Sequence, residues 1–287
     1  MACRPGRGYD SAQESAGPEF PAGGASMTET AAKRKRPNYG IDAPTVVRNL
    51  ILVGAAALVL AVVSYLLDWR PLTRMATGLT IGCLIGAGWM VWGSKVGKLR
   101  ERDRLLDGLA LRGDETVLDV GCGRGLLLIG AAKRLTTGKA VGVDIWQAGD
   151  LSGNRPEATL ENARLEGVAE RVEVKDGDAR RLPFADGTFD VVVTKEVLHN
   201  ISNAAERDTA VREIARVLRP GGRLVLADVR HTGRYAQVLR ECGLEDLRRS
   251  AASVSSLLIA AITFGFAYPA QVTARKPAPA GGQGGGA

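Results

Sequence analysis

Two long uncharged stretches dominate the hydrophobic pattern of the first third of the chain. Residues 49–67 (NLILVGAAALVLAVVSYLL) and 75–94 (MATGLTIGCLIGAGWMVWGS) contain no Asp, Glu, Lys or Arg. Each is close to the roughly 20 residues that an α-helix needs to cross the hydrocarbon core of a bilayer. The link between them is short and contains Pro71. The pattern predicts a transmembrane helical hairpin over 46–94, and two buried helices of a soluble core are the alternative.

Basic residues flank this hairpin more heavily than they occur in its link. Five precede it, five follow it and two lie in the link: Lys33, Arg34, Lys35, Arg36 and Arg48; Lys95, Lys98, Arg100, Arg102 and Arg104; Arg70 and Arg74. Because cytoplasmic flanks carry the excess of Lys and Arg, both termini and the domain after the hairpin are predicted to be cytoplasmic.

Three glycines, Gly78, Gly82 and Gly86, recur at every fourth position of the second stretch. Small residues at this spacing let two helices approach closely. We expect them to pack against the first helix, at Gly54, Ala57 and Ala61. A second copy of the chain is the alternative partner, which leaves a homodimer open.

Beyond the hairpin, short apolar runs alternate with segments of helical periodicity. Helices are predicted over 101–111, 126–132, 156–167, 204–218 and 234–242, and strands over 117–120, 139–144, 171–174 and 244–249. Such alternation is typical of a parallel sheet. Residues 250–269 are apolar and uncharged, and we expect a helix or loop there that covers the site or touches the bilayer surface.

Glycines at alternate positions follow the first of these strands. The stretch Asp119-x-Gly121-x-Gly123-x-Gly125 leads directly into the helix predicted from Leu126. Glycine allows a tight turn and the close approach of a ligand to the main chain. The dinucleotide-binding fingerprint Gly-x-Gly-x-x-Gly requires its third glycine at position 126, where this chain has leucine.

Further motifs follow in order along the chain. An acid, Asp144, ends the second strand, and Asp178-Ala179 follows the third. A carboxylate at the end of the second strand can accept ribose hydroxyls. Loop-and-strand segments follow at 182–193, 217–226 and 271–275, with Pro269 outside the last strand.

Together these motifs resemble those of the class I methyltransferases that use S-adenosylmethionine, closest to small-molecule enzymes of the quinone-biosynthesis and arsenite-methylating type. The resemblance covers about residues 102–277. It implies an α/β fold with a Rossmann-like, seven-stranded, mostly parallel sheet and helices on both faces, S-adenosylmethionine as the cofactor, and a small-molecule acceptor. It implies cofactor-binding roles for Asp119, Gly121, Cys122, Gly123, Gly125, Asp144, Ile145, Asp178, Ala179 and Thr194.

Histidine is scarce in this chain, which has only His199 and His231. His199 follows the fourth strand, where ligands of α/β sheets are bound. Its neutral imidazole can accept a substrate proton, so it is the candidate catalytic residue. The alternative is that His199 only packs or forms a hydrogen bond. Methyl transfer can also proceed by positioning and exclusion of water without a base.

Composition and charge restrict the classes of partner and indicate where the tails and the domain lie. The formal charge of +7 comes from basic residues around the apolar segments rather than a basic face with aromatics, so no nucleic-acid partner is expected. Four distant cysteines imply neither a metal site nor a disulfide framework. We expect a disordered basic tail over 1–45, with Met27 as an alternative start, a catalytic domain over 95–277, and a flexible tail over 278–287.

These observations favour a membrane-anchored S-adenosylmethionine-dependent methyltransferase that acts on a small, lipophilic acceptor. A non-catalytic nucleotide-binding membrane scaffold or sensor is the alternative. A nicotinamide-dependent oxidoreductase is disfavoured by the glycine spacing and because no Tyr-x-x-x-Lys pair follows the fourth strand.

Overall fold

A seven-stranded sheet organises the chain from residue 116 onward. The structure is a computed structural model that describes residues 35–147, 149, 151–250 and 269–278. The expectations for residues 1–34, 251–268 and 279–287 lie outside this part. The strands are β1 (Thr116–Val120), β2 (Lys139–Asp144), β3 (Val172–Asp176), β4 (Phe189–Lys195), β5 (Leu218–Asp228), β6 (Glu245–Arg249) and β7 (Ala270–Arg275).

The strand order across the sheet is β3-β2-β1-β4-β5-β7-β6. The first five strands in this order are parallel, whereas β7 runs antiparallel to both β5 and β6. The central strands β1 and β4 are almost wholly buried, as expected for parallel strands that are covered on both faces. Because β1 and β4 are parallel neighbours, their carboxyl ends lie side by side in the middle of the sheet.

Helices cover both faces of the sheet. The helices after the hairpin are α3 (Lys98–Asp107), α4 (Leu126–Ala132), α5 (Pro156–Leu165), α6 (Ala204–Val217) and α7 (Thr232–Glu241). Leu106, Leu128 and Ala163 pack into a buried cluster on one face, and Ile214 and Tyr235 into another on the opposite face. The predicted α/β fold with a mostly parallel seven-stranded sheet is confirmed.

Two long apolar helices, α1 (Pro44–Leu66) and α2 (Arg70–Trp92), form the hairpin. The α2 helix starts earlier than predicted because Pro71 fits a first helical turn, which shortens the link to residues 67–69. By length and composition, α1 and the helical segment Arg70–Asp107 could each cross a membrane.

The interface between α1 and α2 uses a different face of α2 from the predicted one. Gly54 of α1 packs closely against Cys83, and the Thr80 hydroxyl approaches the Gly54 carbonyl at 3.4 Å. Among the described residues, no atom lies within 4 Å of a Cβ placed at Gly78 or Gly82. A Cβ at Gly86 would lie 3.7 Å from Leu50 Cδ1 of α1, so the prediction of packing against the first helix holds for Gly86. It is wrong for Gly78 and Gly82, because Thr80 and Cys83 occupy the contact face there.

The domain boundaries also differ from the prediction. A π-helical segment, Gly93–Gly97, joins α2 directly to α3, so no linker separates the hairpin from the α/β part. Residues 38–42, predicted as part of a disordered tail, pack against the α/β part and form an isolated β-bridge between Asp42 and Leu151. The α/β part thus uses chain from both sides of the hairpin.

Candidate active site

The glycine loop after β1 is shaped by left-handed backbone conformations. Gly121 has φ 72° and Gly123 has φ 52°, in the region that favours glycine. The Gly121 N–H donates to the Val143 carbonyl at 2.7 Å, which ties the loop to the end of β2. The Gly123 N–H donates to Asp144 Oδ2 at 2.7 Å. These bonds hold the start of α4 and the predicted ribose-binding acid beside each other.

Asp119 links the strand before the glycine loop to the helix after it. Its side chain is buried, and its Oδ2 accepts a hydrogen bond from the Leu128 N–H at 2.8 Å in the first turn of α4. Burial raises the pKa of Asp119 to about 8, with a further contribution from the negative charge of Asp144. Asp119 therefore holds the loop against the helix, and its burial favours the uncharged form of the carboxyl.

A cavity of about 710 Å³ opens at the carboxyl ends of the parallel strands. This volume is within the usual range of small-molecule sites. Its lining brings together nine of the predicted site residues: Asp119, Gly121, Cys122, Gly123, Asp144, Ile145, Asp178, Ala179 and His199. The sequence-predicted donor motifs and the candidate catalytic histidine therefore share one continuous space.

The donor side of the cavity fits a nucleoside. Asp144 Oδ1 accepts from the Trp146 N–H at 2.6 Å and from Asn154 Nδ2 at 3.3 Å. Asn154 also lines the cavity, and its buried Oδ1 has no hydrogen-bond partner among the described residues. Ile145 presents a side chain that is 54% exposed. A ribose hydroxyl and a purine face would satisfy these groups, since the first can donate to Asn154 and the second can pack on Ile145.

The opposite wall carries a buried His–Asp pair. The ring Nδ1 of His199 lies 2.6 Å from Asp228 Oδ1, and the backbone N–H of His199 donates to Asp228 Oδ2 at 3.2 Å. The side chain of Asp228 is 1% exposed, and its Oδ1 also accepts from the Val229 N–H at 2.7 Å. The carboxylate thus fixes the orientation of the imidazole at the cavity wall.

A cluster of one lysine and two glutamates lies at the carboxyl end of β4. Lys195 Nζ is 2.5 Å from Glu196 Oε1 and 3.3 Å from Glu101 Oε2. Burial by itself lowers the pKa of Lys195, but the charges of Glu196 and Glu101 outweigh it and hold that pKa above its usual value. The charge of Lys195 in turn lowers the pKa of Glu196. Both groups therefore stay ionised, and they form a fixed polar wall.

Two predicted cofactor residues do not line the cavity, according to the described residues. Thr194 is buried within β4, and because successive strand residues point to opposite faces, its neighbour Lys195 reaches the cavity instead. A Cβ at Gly125 would lie 2.8 Å from Ile129 Cδ1, so this glycine serves helix packing. Cys122 lines the cavity, but its thiol packs against Gly142, and burial raises the pKa of the thiol well above its usual value.

Sequence reasoning missed three residues of the cavity wall or its support. Asp228 ends β5 just as Asp144 ends β2, and that parallel was a usable signal. Tyr39 and Asp42 line the cavity from a stretch with no periodicity, and no local signal in the sequence identifies them.

Comparisons with known proteins agree with this geometry. Residues 118–226 match a family described as a methyltransferase domain. Methyltransferase GfsG of Streptomyces halstedii is 37% identical over 130 residues, which are 45% of this chain and 43% of that protein. Ubiquinone/menaquinone biosynthesis C-methyltransferase UbiE of Dinoroseobacter shibae is 35% identical over 128 residues, which are 44% of this chain and 47% of that protein.

A solved structure shares the fold. Phosphoethanolamine N-methyltransferase 2 of Haemonchus contortus, in complex with phosphomonomethylethanolamine and S-adenosylhomocysteine, superposes with a TM-score of 0.50 at 17% identity, covering 62% of this chain and 52% of that one. Residues 118–226 thus match a methyltransferase domain, and S-adenosylmethionine is the methyl donor that is typical of this family. The chain spans less than half the length of the two curated relatives named above.

Proposed function

We propose that this protein is a membrane-anchored methyltransferase that transfers a methyl group from S-adenosylmethionine to a small, lipophilic acceptor. One observation carries the proposal: a continuous cavity joins the glycine loop and Asp144 to the His199–Asp228 pair. A donor site and a group able to take a proton therefore border the same space.

The residues of the domain divide into donor-binding and acceptor-facing groups. S-adenosylmethionine supplies an electrophilic methyl group. Asp144 and Asn154 would hold the ribose, and Ile145, Asp178 and Ala179 would border the adenine. Much of the rate enhancement in such a site comes from positioning the two reactants and excluding water.

His199 is suited to take a proton from the acceptor. A carboxylate accepts hydrogen bonds only, so the Asp228 contact assigns the imidazole proton to Nδ1. In the neutral ring, Nε2 is then the basic nitrogen. Asp228 acts through His199, as a positioning residue that also stabilises the imidazolium once it forms.

The hairpin supports the membrane anchor. Each helix has 23 residues, which corresponds to about 34 Å of α-helix. Large apolar side chains face outward along both helices, among them Leu52, Val59, Ile85 and Trp89. In water these surfaces would be an aggregation hazard, whereas in a bilayer they are solvated by lipid. The basic flanks favour an orientation with both termini and the catalytic domain in the cytoplasm.

Part of the cavity lining comes from the hairpin, which suggests how an acceptor could enter the cavity. Its lining includes Ala43, immediately before α1, and Met90, near the end of α2. These residues lie at the domain-side end of the hairpin, where a bilayer surface would be. An apolar acceptor dissolved in the membrane could therefore reach the cavity without crossing water.

Donor binding provides the direct test of the enzyme class. Isothermal calorimetry on the full chain in lipid nanodiscs would measure S-adenosylmethionine and NADH, in the wild type and in Asp144→Ala. We expect S-adenosylmethionine to bind, the variant to lose that binding, and NADH not to bind. A folded chain that does not bind S-adenosylmethionine would refute the proposal.

Transfer is tested separately with tritium-labelled methyl donor and membranes of the expressing host. Label in the organic extract, lost in His199→Gln, supports a lipophilic acceptor. Donor binding without transfer in extracts from several sources would favour the scaffold or sensor instead.

The anchor and its orientation have their own tests. We expect the chain to remain in the pellet after alkaline carbonate extraction, and Asp68→Cys to react with a membrane-impermeant maleimide only from outside intact cells. Release into the carbonate supernatant would contradict the anchor, and labelling only after cell lysis would contradict the orientation.

A further inference from the structure

Residues 38–42, which we call the strap, lie immediately before the first hairpin helix and border the glycine-loop cavity. Tyr39 and Asp42 of the strap line that cavity together with Gly121 and Gly123. The strap lies outside residues 118–226, the part of the chain that matches the methyltransferase domain family. The strap therefore adds groups to the site that the methyltransferase domain alone does not supply.

The end of the hairpin holds the strap from one side. Lys98 Nζ donates to the carbonyls of Tyr39 and Gly40, each at 2.9 Å, and to Asp42 Oδ1 at 3.1 Å. Ser94 Oγ donates to Asp42 Oδ2 at 3.1 Å. The side chain of Lys98 is only 7% exposed, so these contacts are largely shielded from solvent. Lys98 and Ser94 thus fix the position of the Asp42 carboxylate.

The donor-binding loops hold the strap from the other side. The Ile41 N–H donates to Ser152 Oγ at 2.8 Å. The Asn162 side chain links the Asn38 carbonyl, at 3.0 Å, to the Arg124 carbonyl in the glycine loop, at 2.9 Å. The strap is therefore bonded to the same loops that shape the donor side of the cavity.

The sheet order indicates which end of the donor lies near the strap. Asp144 and Asp178, the ribose and adenine residues, follow β2 and β3 on one side of β1, whereas His199 follows β4 on the other side. The amino-acid end of S-adenosylmethionine must then lie above the glycine loop of β1. That end carries an α-ammonium and an α-carboxylate group.

The strap region offers charges that complement such a zwitterion. The Asp42 side chain is 42% exposed, although it already contacts Lys98 and Ser94, so one face of its carboxylate remains open. Arg124, which touches the strap at Gly40, has a buried Nε–H with no acceptor among the described residues. One carboxylate and one incompletely satisfied guanidinium therefore border the space above the loop.

We propose that Asp42 binds the α-ammonium group of the methyl donor, so that a residue fixed by the membrane hairpin completes the donor site. This inference rests on the proposed function, because it assumes that the cavity binds S-adenosylmethionine. Lys98 is the positioning residue that keeps the strap over the loop.

The test compares two ligands that differ in the amino-acid end. S-adenosylhomocysteine has this end, and 5′-methylthioadenosine lacks it, while both have an uncharged sulfur. Affinities for both would be measured by calorimetry on the full chain in nanodiscs, for the wild type, Asp42→Asn and Asp103→Asn. Asp103 is a matched control: its side chain is 45% exposed and pairs with the largely buried Arg102, but it does not line the cavity.

We expect Asp42→Asn to weaken S-adenosylhomocysteine binding about tenfold or more, as for the loss of one charge-assisted hydrogen bond, and to leave 5′-methylthioadenosine binding unchanged. Asparagine can still contact Lys98 and Ser94, so the strap should stay in place. Asp103→Asn should change neither affinity.

Other outcomes would overturn the inference. An equal loss for both ligands would mean that Asp42 only supports the structure, and no loss for either would mean that it does not contact the donor. A selective loss in Asp103→Asn as well would indicate a general effect of charge. If the wild type binds neither ligand, the proposed function fails, and this inference fails with it.

Discussion

Gly121→Ala is the substitution whose effect follows most directly from the geometry of the site. Gly121 has φ 72°, and an added Cβ would lie 2.2 Å from Val197 Cγ2, 2.6 Å from Cγ1 and 2.9 Å from Cβ. Val197 is held there because Glu196, with φ 56°, turns the chain sharply after β4. The new methyl group would therefore collide with a branched side chain at its stem, where rotation gives little relief.

Two effects determine how much stability Gly121→Ala should lose. The left-handed backbone costs an alanine about 1–2 kcal/mol relative to glycine. Overpacking of a closely packed contact typically costs a further 1–3 kcal/mol. Together they reduce the free energy of unfolding by about 2–5 kcal/mol. At about 2–4 °C for each kcal/mol, the melting temperature should fall by about 4–20 °C. Donor affinity should also fall, because the loop that would bind the donor must move.

Thermal unfolding of the purified chain in detergent, followed by tryptophan fluorescence, measures this effect. The matched control is Gly233→Ala on α7, where no described atom lies within 4 Å of the added Cβ, and we expect little change or slight stabilisation. Val197→Ala should relieve the collision, so the double variant should be more stable than the sum of the single effects predicts by about 1–3 kcal/mol. A melting temperature of Gly121→Ala equal to that of the control, or additive effects in the double variant, would refute this reasoning.

Four further substitutions and one truncation test other parts of the site. The unfolded chain releases the Asp119 proton near pH 4, whereas the folded chain keeps it to about pH 8, so this group makes the wild type less stable as pH rises through that window. The Asp119→Asn variant should therefore lose less stability than the wild type between pH 5.5 and about pH 7.5 in thermal melts. His199→Gln and Asp228→Asn should each slow methyl transfer by about a hundredfold or more while S-adenosylhomocysteine affinity is retained, as labelled-donor assays and calorimetry would show. Thr194→Val should leave donor affinity unchanged and slightly raise the melting temperature, because the buried Thr194 hydroxyl lacks a partner among the described residues. A chain that begins at Lys95 should melt at a lower temperature and bind S-adenosylhomocysteine more weakly than the full chain, since it lacks the strap.

The sequence predicted those parts of the site that are encoded locally. Strand β2 and helix α4 have the predicted bounds, Lys139–Asp144 and Leu126–Ala132, because each combines a clear apolar pattern with a defined end. The glycine loop between β1 and α4 was equally clear, since three alternating glycines in such a place indicate left-handed turns. Here local pattern and tertiary structure agree, and the fold class that the resemblance implied is confirmed.

The sequence is less informative where contacts depend on residues far apart in the chain. The resemblance implies a cofactor role for Thr194, but in the structure Thr194 is buried within β4 and its neighbour Lys195 lines the cavity. Gly78 and Gly82 have the spacing of a helix contact, but spacing alone does not determine which face of α2 meets α1. The position of Asp228 at the end of β5 was a usable signal, but its pairing with His199, 29 positions away, depends on the arrangement of the strands.

The strap explains why a boundary drawn at residue 95 misses part of the catalytic structure. Composition separates an apolar hairpin from a mixed α/β domain, and this suggests two independent units. The contacts contradict that division, since Lys98, just after the hairpin, bonds to residues 39, 40 and 42, just before it. The two ends of the hairpin are thereby joined to each other at the edge of the cavity. Any movement of α1 relative to α2 at this end must shift Tyr39 or Asp42 in the cavity wall. If the hairpin lies in a bilayer, as we propose, the membrane is mechanically linked to the geometry of the donor site and is more than a place of attachment.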